Sequence, residues 1–321
     1  MKNPLAITIV TALLASSLFL LVFSFGLGFL FMFLPTLPLF TIGLSNSSKI
    51  TLDAGLMAAV IILVLSSSFS ASSMFFFIFA VPCWAIVFLL RHHYDIHIND
   101  VRISPQPTSI RLWYPVGLVV MYLAIYACVL LASITAVMAT QEANLPHLII
   151  TQIQSEIATI QKDYDMEVDI SPSSLAFMLC GFFAWLWVFF LYAHAWIANF
   201  PLIKKSIAIR PTLMVTPFFI PHWFLTLLGI CAIASLIGGE SMRFLGKSSL
   251  IILMIPYFFQ GIGMLHISTI QWPNRRIFLF FIYFAIAALF WPAFIFVGIG
   301  LWHHVKLLNK LLSLSEKSSK N

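Results

Sequence analysis

Charge is what this sequence has least of. Only 9% of its 321 residues are Asp, Glu, Lys or Arg, against 61% hydrophobic residues, a ratio outside the range of water-soluble domains. The lipid bilayer must therefore be the solvent for most of the chain. The apolar runs are continuous rather than alternating and too long for barrel strands, so helices satisfy the backbone in lipid and an all-α fold is expected. The formal charge of +6 does not point to nucleic acid. Lys and Arg fall singly or in pairs between apolar segments, which is a topology signal and not a basic patch.

Other absences narrow the chemistry. The four cysteines, Cys83, Cys128, Cys180 and Cys231, lie inside apolar segments with no CxxC pair, so they read as packed thiols and not as metal ligands. There is no HExxH zinc helix, no GxSxG elbow, no P-loop and no pair of intramembrane aspartates, and no catalytic residue is expected. The apolar segments are almost free of acids, the groups that usually gain and lose a proton or ion in coupled transport. Asp53 and Glu240 stand near segment ends. The expectation is a non-enzymatic protein with no cofactor and no metal.

What is present is a succession of apolar segments. About eight full spans are expected, at residues 5–23, 29–44, 50–65, 73–90, 116–139, 175–197, 220–237 and 250–270. A last segment, 277–301, is either one span or a re-entrant hairpin broken at Trp291 and Pro292. Residues 1–301 thus read as one polytopic transmembrane helical bundle, followed by a basic amphipathic tail over 302–321. The start, Lys2 and an apolar run, resembles a signal peptide, but more apolar sequence follows, which predicts an uncleaved first span. Gly26 and Gly28 offer the turn after it. Pro35 and Pro38 should kink the second span, and Pro105 with Pro107 predicts an irregular loop after Arg91.

Orientation follows the positive-inside rule. With the N-terminus inside, Lys2, Lys49, Arg91, Arg102, Arg111, Lys204, Lys205, Arg210, Arg275 and Arg276 are cytoplasmic. The loop 140–174, which carries Glu142, Glu156, Asp163, Asp165, Glu167 and Asp169, is then external. Ile149, Ile150, Ile153, Ile157 and Ile160 recur in it at helical spacing, predicting an amphipathic helix.

Two constellations could carry function. Gln260, Gly263 and His266 share one face of a helix, a notch between two hydrogen-bonding side chains. With His194 and Trp187 on another helix they form the candidate ligand pocket, the alternative being interhelical packing. Ala12 and Ser16 form a small-xxx-small pair that permits close approach of another helix, from this chain or from a partner subunit. His92, His93, Asp95 and His97 read as a solvated loop, and His303 with His304 as an interface marker.

The strings PTLPLFTIGL (35–44), WYPVG (113–117) and PYFFQGIGMLH (256–266), with the closing apolar run and charged tail, resemble the YybS-like bacterial membrane protein family (domain of unknown function 2232). That family is distantly similar to the substrate-binding membrane subunits of energy-coupling-factor transporters, which usually have six spans. The resemblance implies a multi-pass protein of the bacterial cytoplasmic (inner) membrane that takes a small-molecule ligand and docks on a transmembrane coupling subunit, energised by a separate module. It places Ala12 and Ser16 at the docking face and the Gln260 and His266 helix at the cavity. The alternative expectation is a membrane scaffold for cell-envelope assembly.

Overall fold

The computed structural model describes residues 3–26, 28–98, 108–140, 144–164, 171–208, 210 and 220–318. The protein is a polytopic helical membrane protein. Six helices among the described residues are long and apolar enough to cross a bilayer: Pro4–Phe25, Ser48–Ser66, Phe69–Arg91, Val116–Thr140, Pro172–Lys204 and Glu240–Ser268. The chain forms two compact units, Met1–Val119 with Val188–Met214, and Val120–Trp187 with Val215–Asn321.

In the first unit, α1 (Pro4–Phe25) starts where the Asn3 side chain accepts from the Leu5 amide and ends at Gly26, which takes φ 57°. Gly28 follows at φ 80°, so the expected turn falls where only glycine adopts such angles cheaply. The next expected span, 29–44, does not form as one helix. A 3₁₀ turn, Phe29–Phe33, precedes the ten-residue α2 (Thr36–Ser45), with Pro35 at its N-cap. At 1.5 Å per residue, α2 is about half of what a bilayer core needs. Pro35 and Pro38 set a helix start, where their missing donors cost nothing, instead of kinking a continuous span.

Helix α3 (Ser48–Ser66) begins under the Ser47 side chain, which accepts from the Ile50 amide at 3.2 Å. The Phe69–Arg91 helix consists of α4 (Phe69–Phe75), a π-helical turn Phe76–Ala80 and α5 (Val81–Arg91). Ser72 Oγ donates across to the Ala59 carbonyl at 2.7 Å, satisfying a buried hydroxyl between α4 and α3. A Cβ at Gly43 would land on Thr51 Oγ1 and on the Val87 methyls, so α2, α3 and α5 meet at closest approach there. Gly43→Val is therefore expected to lower the thermal unfolding midpoint in detergent sharply, whereas Gly26→Asn, in open space at an αL position, should change it little. An aromatic cluster fills the core: Phe19 packs edge-on to Phe75 and Phe79, and Phe33 contacts Phe79 and stacks on Phe190 at 5.1 Å.

After α5 the chain forms an antiparallel hairpin, β1 (His93–Ile98) with β2 (Thr108–Trp113), registered from His93 opposite Trp113 to Ile98 opposite Thr108. The irregular loop expected here is thus a strand pair on its described part. Arg102, Pro105 and Pro107 lie outside the described residues.

Helices α6 (Val116–Thr140) and α8 (Pro172–Lys204) contribute residues to both units. Between them, α7 (Leu145–Tyr164) is amphipathic, with Ile149, Ile150, Ile153 and Ile157 half-buried and Gln152, Gln154 and Glu156 exposed. Glu142, Asp165, Glu167 and Asp169 lie outside the described residues. In the second unit, α9 (Trp223–Ile237) has only 15 residues because Gly238 and Gly239 end it, so the expected span 220–237 is also short. Helix α10 (Glu240–Leu253) then begins ten residues before the expected start of its span. Its polar first turns, with Arg243 and Lys247, extend the helix past the apolar stretch that hydropathy detects. At Met254 the chain passes into α11 (Ile255–Ser268).

The closing segment is not a straight span. Helix α12 (Arg275–Leu289) and the segment from Pro292 meet at 115°, with the break at Phe290 and Trp291, just before the proline. Helix α13 (Pro292–Ser318) carries the apolar segment and the basic tail, as far as Ser318, in one helix.

Candidate functional site

A buried polar cluster lies on α11 and α13 in the second unit. Two glycines create it. A Cβ on Gly261 would overlap the Phe296 carbonyl oxygen, and one on Gly300 would overlap that of Tyr257. Two antiparallel backbones therefore touch, which only glycine permits. The residues around each glycine share a helix face by i, i+3, i+4 spacing: Tyr257, Gln260 and Gly261 on α11, and Gly300, His303 and His304 on α13.

Close approach brings these side chains within hydrogen-bonding distance. Tyr257 Oη lies 3.1 Å from His304 Nδ1, and His304 Nε2 lies 3.0 Å from His222 Nδ1. Tyr257 and His304 are each 1% exposed, and the His222 and His304 rings stack at 5.1 Å. The chain has two consistent polarities. Either Tyr257 donates to His304 and His304 to His222, or each histidine donates the other way towards Tyr257. Beside it, Gln260 Nε2 is 3.0 Å from His303 Nδ1. Gln260 is 3% exposed, and its Oε1 has no hydrogen-bond partner. Swapping the amide's oxygen and nitrogen leaves one amide atom over in either orientation.

One and a half turns further along α11, Arg275 Nη2 donates to His266 Nδ1 at 3.1 Å. Because a guanidinium only donates, His266 carries its proton on Nε2 and donates it to Tyr283 Oη. Arg275 Nε is buried without a partner.

The expected pocket residues are thus distributed as follows. Gln260, Gly263 and His266 lie on α11 in the second unit, Gly263 being buried, but the glycine of closest approach is Gly261. Trp187 also belongs to the second unit and stacks on Tyr126 at 6.2 Å. His194 belongs to the first unit, where its Nδ1 donates to the Phe190 carbonyl at 2.8 Å and its ring lies 6.1 Å from that of Phe33. Ala12 and Ser16, 0% and 1% exposed, lie on the buried face of α1, which packs on α3 of the same unit. Both are covered by other residues of this chain.

Four members of the cluster, His222, Tyr257, His303 and His304, were not anticipated as site residues. The signal was a His–His doublet three and four residues after a glycine on an apolar helix, mirrored by Tyr257, Gln260 and Gly261.

Outside the membrane-spanning helices, Arg210 is buried in the first unit. Its guanidinium donates to the Tyr114 carbonyl at 3.0 Å and lies 5.8 Å from the Trp113 ring centre. Burial pulls its pKa down, opposed by the nearby Tyr192. Asp53, Glu156 and Glu240, the acids whose side chains are described, are all exposed. Among the described residues, no group of three His, Cys, Asp or Glu side chains is placed to hold a metal ion.

No protein family, curated protein or solved structure matches this chain.

Proposed function

We propose that this multi-pass membrane protein is a non-enzymatic small-molecule-binding or transport subunit of a bacterial inner membrane, with its N-terminus inside, working with a separate energising module. The observation that carries the reading is Gln260. A buried amide atom without a partner costs about 1–3 kcal/mol, yet it stands beside His303 and one turn from the Tyr257–His304–His222 chain. A ligand with a complementary donor or acceptor recovers that cost. Two features support the rest: no P-loop occurs in the sequence, so energy would have to come from another chain, and the six long apolar helices among the described residues equal the number usual in the transporter subunits to which the YybS-like family is distantly similar.

The test is native mass spectrometry of the protein extracted in mild detergent, wild type against Gln260→Leu. The wild type is expected to carry a non-lipid small molecule that the variant loses, while the variant unfolds at nearly the same temperature, because removal of the orphaned amide oxygen offsets the loss of the Gln260–His303 hydrogen bond. Wild-type protein free of such a mass, isolated with envelope-assembly proteins and not with a coupling subunit, would replace this reading with the scaffold.

A further inference from the structure

A second, independent site lies in the first unit, where the end of α2, the start of α3 and the end of α5 converge. Arg91, the last residue of α5, donates from Nη1 to the Gly43 carbonyl at 3.1 Å. Because Gly43 has no room even for a Cβ against Thr51 and Val87, the guanidinium is anchored to a closely packed point of the unit. Next to it an open depression of about 290 Å³ is lined by Ser48, Phe88, Arg91, His92 and His93. Among the described residues, the lining holds no acid.

Each histidine is oriented by a carbonyl that can only accept. His92 Nδ1 is 3.0 Å from the Phe88 carbonyl and His93 Nδ1 is 3.1 Å from that of Arg91, so both rings carry a hydrogen on Nδ1. His92, exposed and packed at 4.5 Å against Phe88, then takes any further proton on Nε2, becoming a charged donor. Ser48 adds a hydroxyl. Phe88, 42% exposed, adds an apolar wall. A permanent cation, one or two protonatable imidazoles and a hydroxyl beside an apolar surface are complementary to an oxyanion carried on a less polar group. The position at the end of a long apolar helix is where a phospholipid headgroup would lie.

We infer that this depression binds a phosphate group, either the phosphodiester of an anionic lipid headgroup or a free phosphate-bearing solute. The test uses the full chain, delipidated in neutral detergent and titrated with phosphatidylglycerol, with phosphatidylcholine and with inorganic phosphate, adducts being counted by native mass spectrometry. Ser48→Asp is the decisive variant: an acid in the first turn of α3 suits the helix dipole and preserves the fold, while it repels an anion from the depression. Wild type is expected to retain phosphatidylglycerol over phosphatidylcholine. Ser48→Asp and the double variant Arg91→Gln, His92→Gln should each weaken that binding about tenfold or more. Lys205→Gln, which removes an exposed charge of the same unit away from the depression, should not. Displacement of the lipid by inorganic phosphate would identify a soluble phosphate as the ligand of the same site. Unchanged lipid adducts in Ser48→Asp, or an equal loss in Lys205→Gln, would overturn the inference.

Discussion

Gly261→Ala and Gly300→Ala are each expected to disrupt the second unit, with a loss of more than about 3 kcal/mol, whereas Gly298→Ala in the same helix should be close to neutral. The contrast follows from what a methyl group would meet. At positions 261 and 300 it overlaps a backbone carbonyl of the opposing helix, and at 298 nothing stands within 4 Å. Backbone cannot rotate away as a side chain can, so α11 and α13 would have to separate, and the Tyr257–His304 and Gln260–His303 contacts would separate with them. Alanine otherwise favours a helix over glycine by about 1 kcal/mol, so Gly298→Ala could even stabilise. The measurement is the thermal unfolding midpoint of each purified variant in one detergent. Equal midpoints for all three would show that the two helices do not cross at these glycines.

How much of this was legible in the sequence depends on what each signal measures. Hydropathy found α1, α3, the Phe69–Arg91 helix, α6 and α8, because each is a single long apolar run. It overcounted at 29–44 and 220–237, because a run of apolar residues does not record where the helix stops. Pro35 and the Gly238–Gly239 pair mark those stops in backbone chemistry. In the hairpin, His93-Tyr94-Asp95-Ile96-His97-Ile98 alternates polar and apolar residues with the period of a strand. The polar histidines read as a solvated segment and the prolines as an irregular loop, which obscured that period. Ala12 and Ser16 lie on a face of α1 that is buried within the chain, but a small-residue pair carries no label for whether its partner belongs to the same chain.

The site shows the same limit. The polar character of α11 was visible in Gln260 and His266, and His266 does find hydrogen-bond partners. Its counterpart on α13 was not, because His303 and His304 fall just before the basic tail and look like the end of a span. Only the continuation of α13 to Ser318 places them within a helix. Gly263 was chosen as the notch because it lies midway between Gln260 and His266. Which of two glycines two residues apart touches another helix depends on that helix's path, which one segment's pattern does not contain.

His304→Phe is expected to cost about 2–3 kcal/mol, and most of that loss should be recovered by adding Tyr257→Phe. The imidazole is 1% exposed and bonded on both nitrogens. Phenylalanine fills the volume, so the cavity term is small, but it leaves the Tyr257 hydroxyl buried without its acceptor. Removing that hydroxyl as well replaces a buried polar pair by an apolar one, which is close to neutral when shape is kept. The double-mutant cycle, measured by thermal or denaturant unfolding in detergent, should therefore give a coupling of about 1–2 kcal/mol in favour of the pair. A coupling of zero would mean that the two side chains do not share the hydrogen bond. Because Gln260 lies one turn from Tyr257 on the same face of α11, the cycle also separates two roles for the cluster. If the doubly substituted protein regains stability but not the copurifying molecule, the polar chain serves recognition. If it regains both, recognition rests on Gln260 and His303, and the chain to His222 serves to hold α11 against α13.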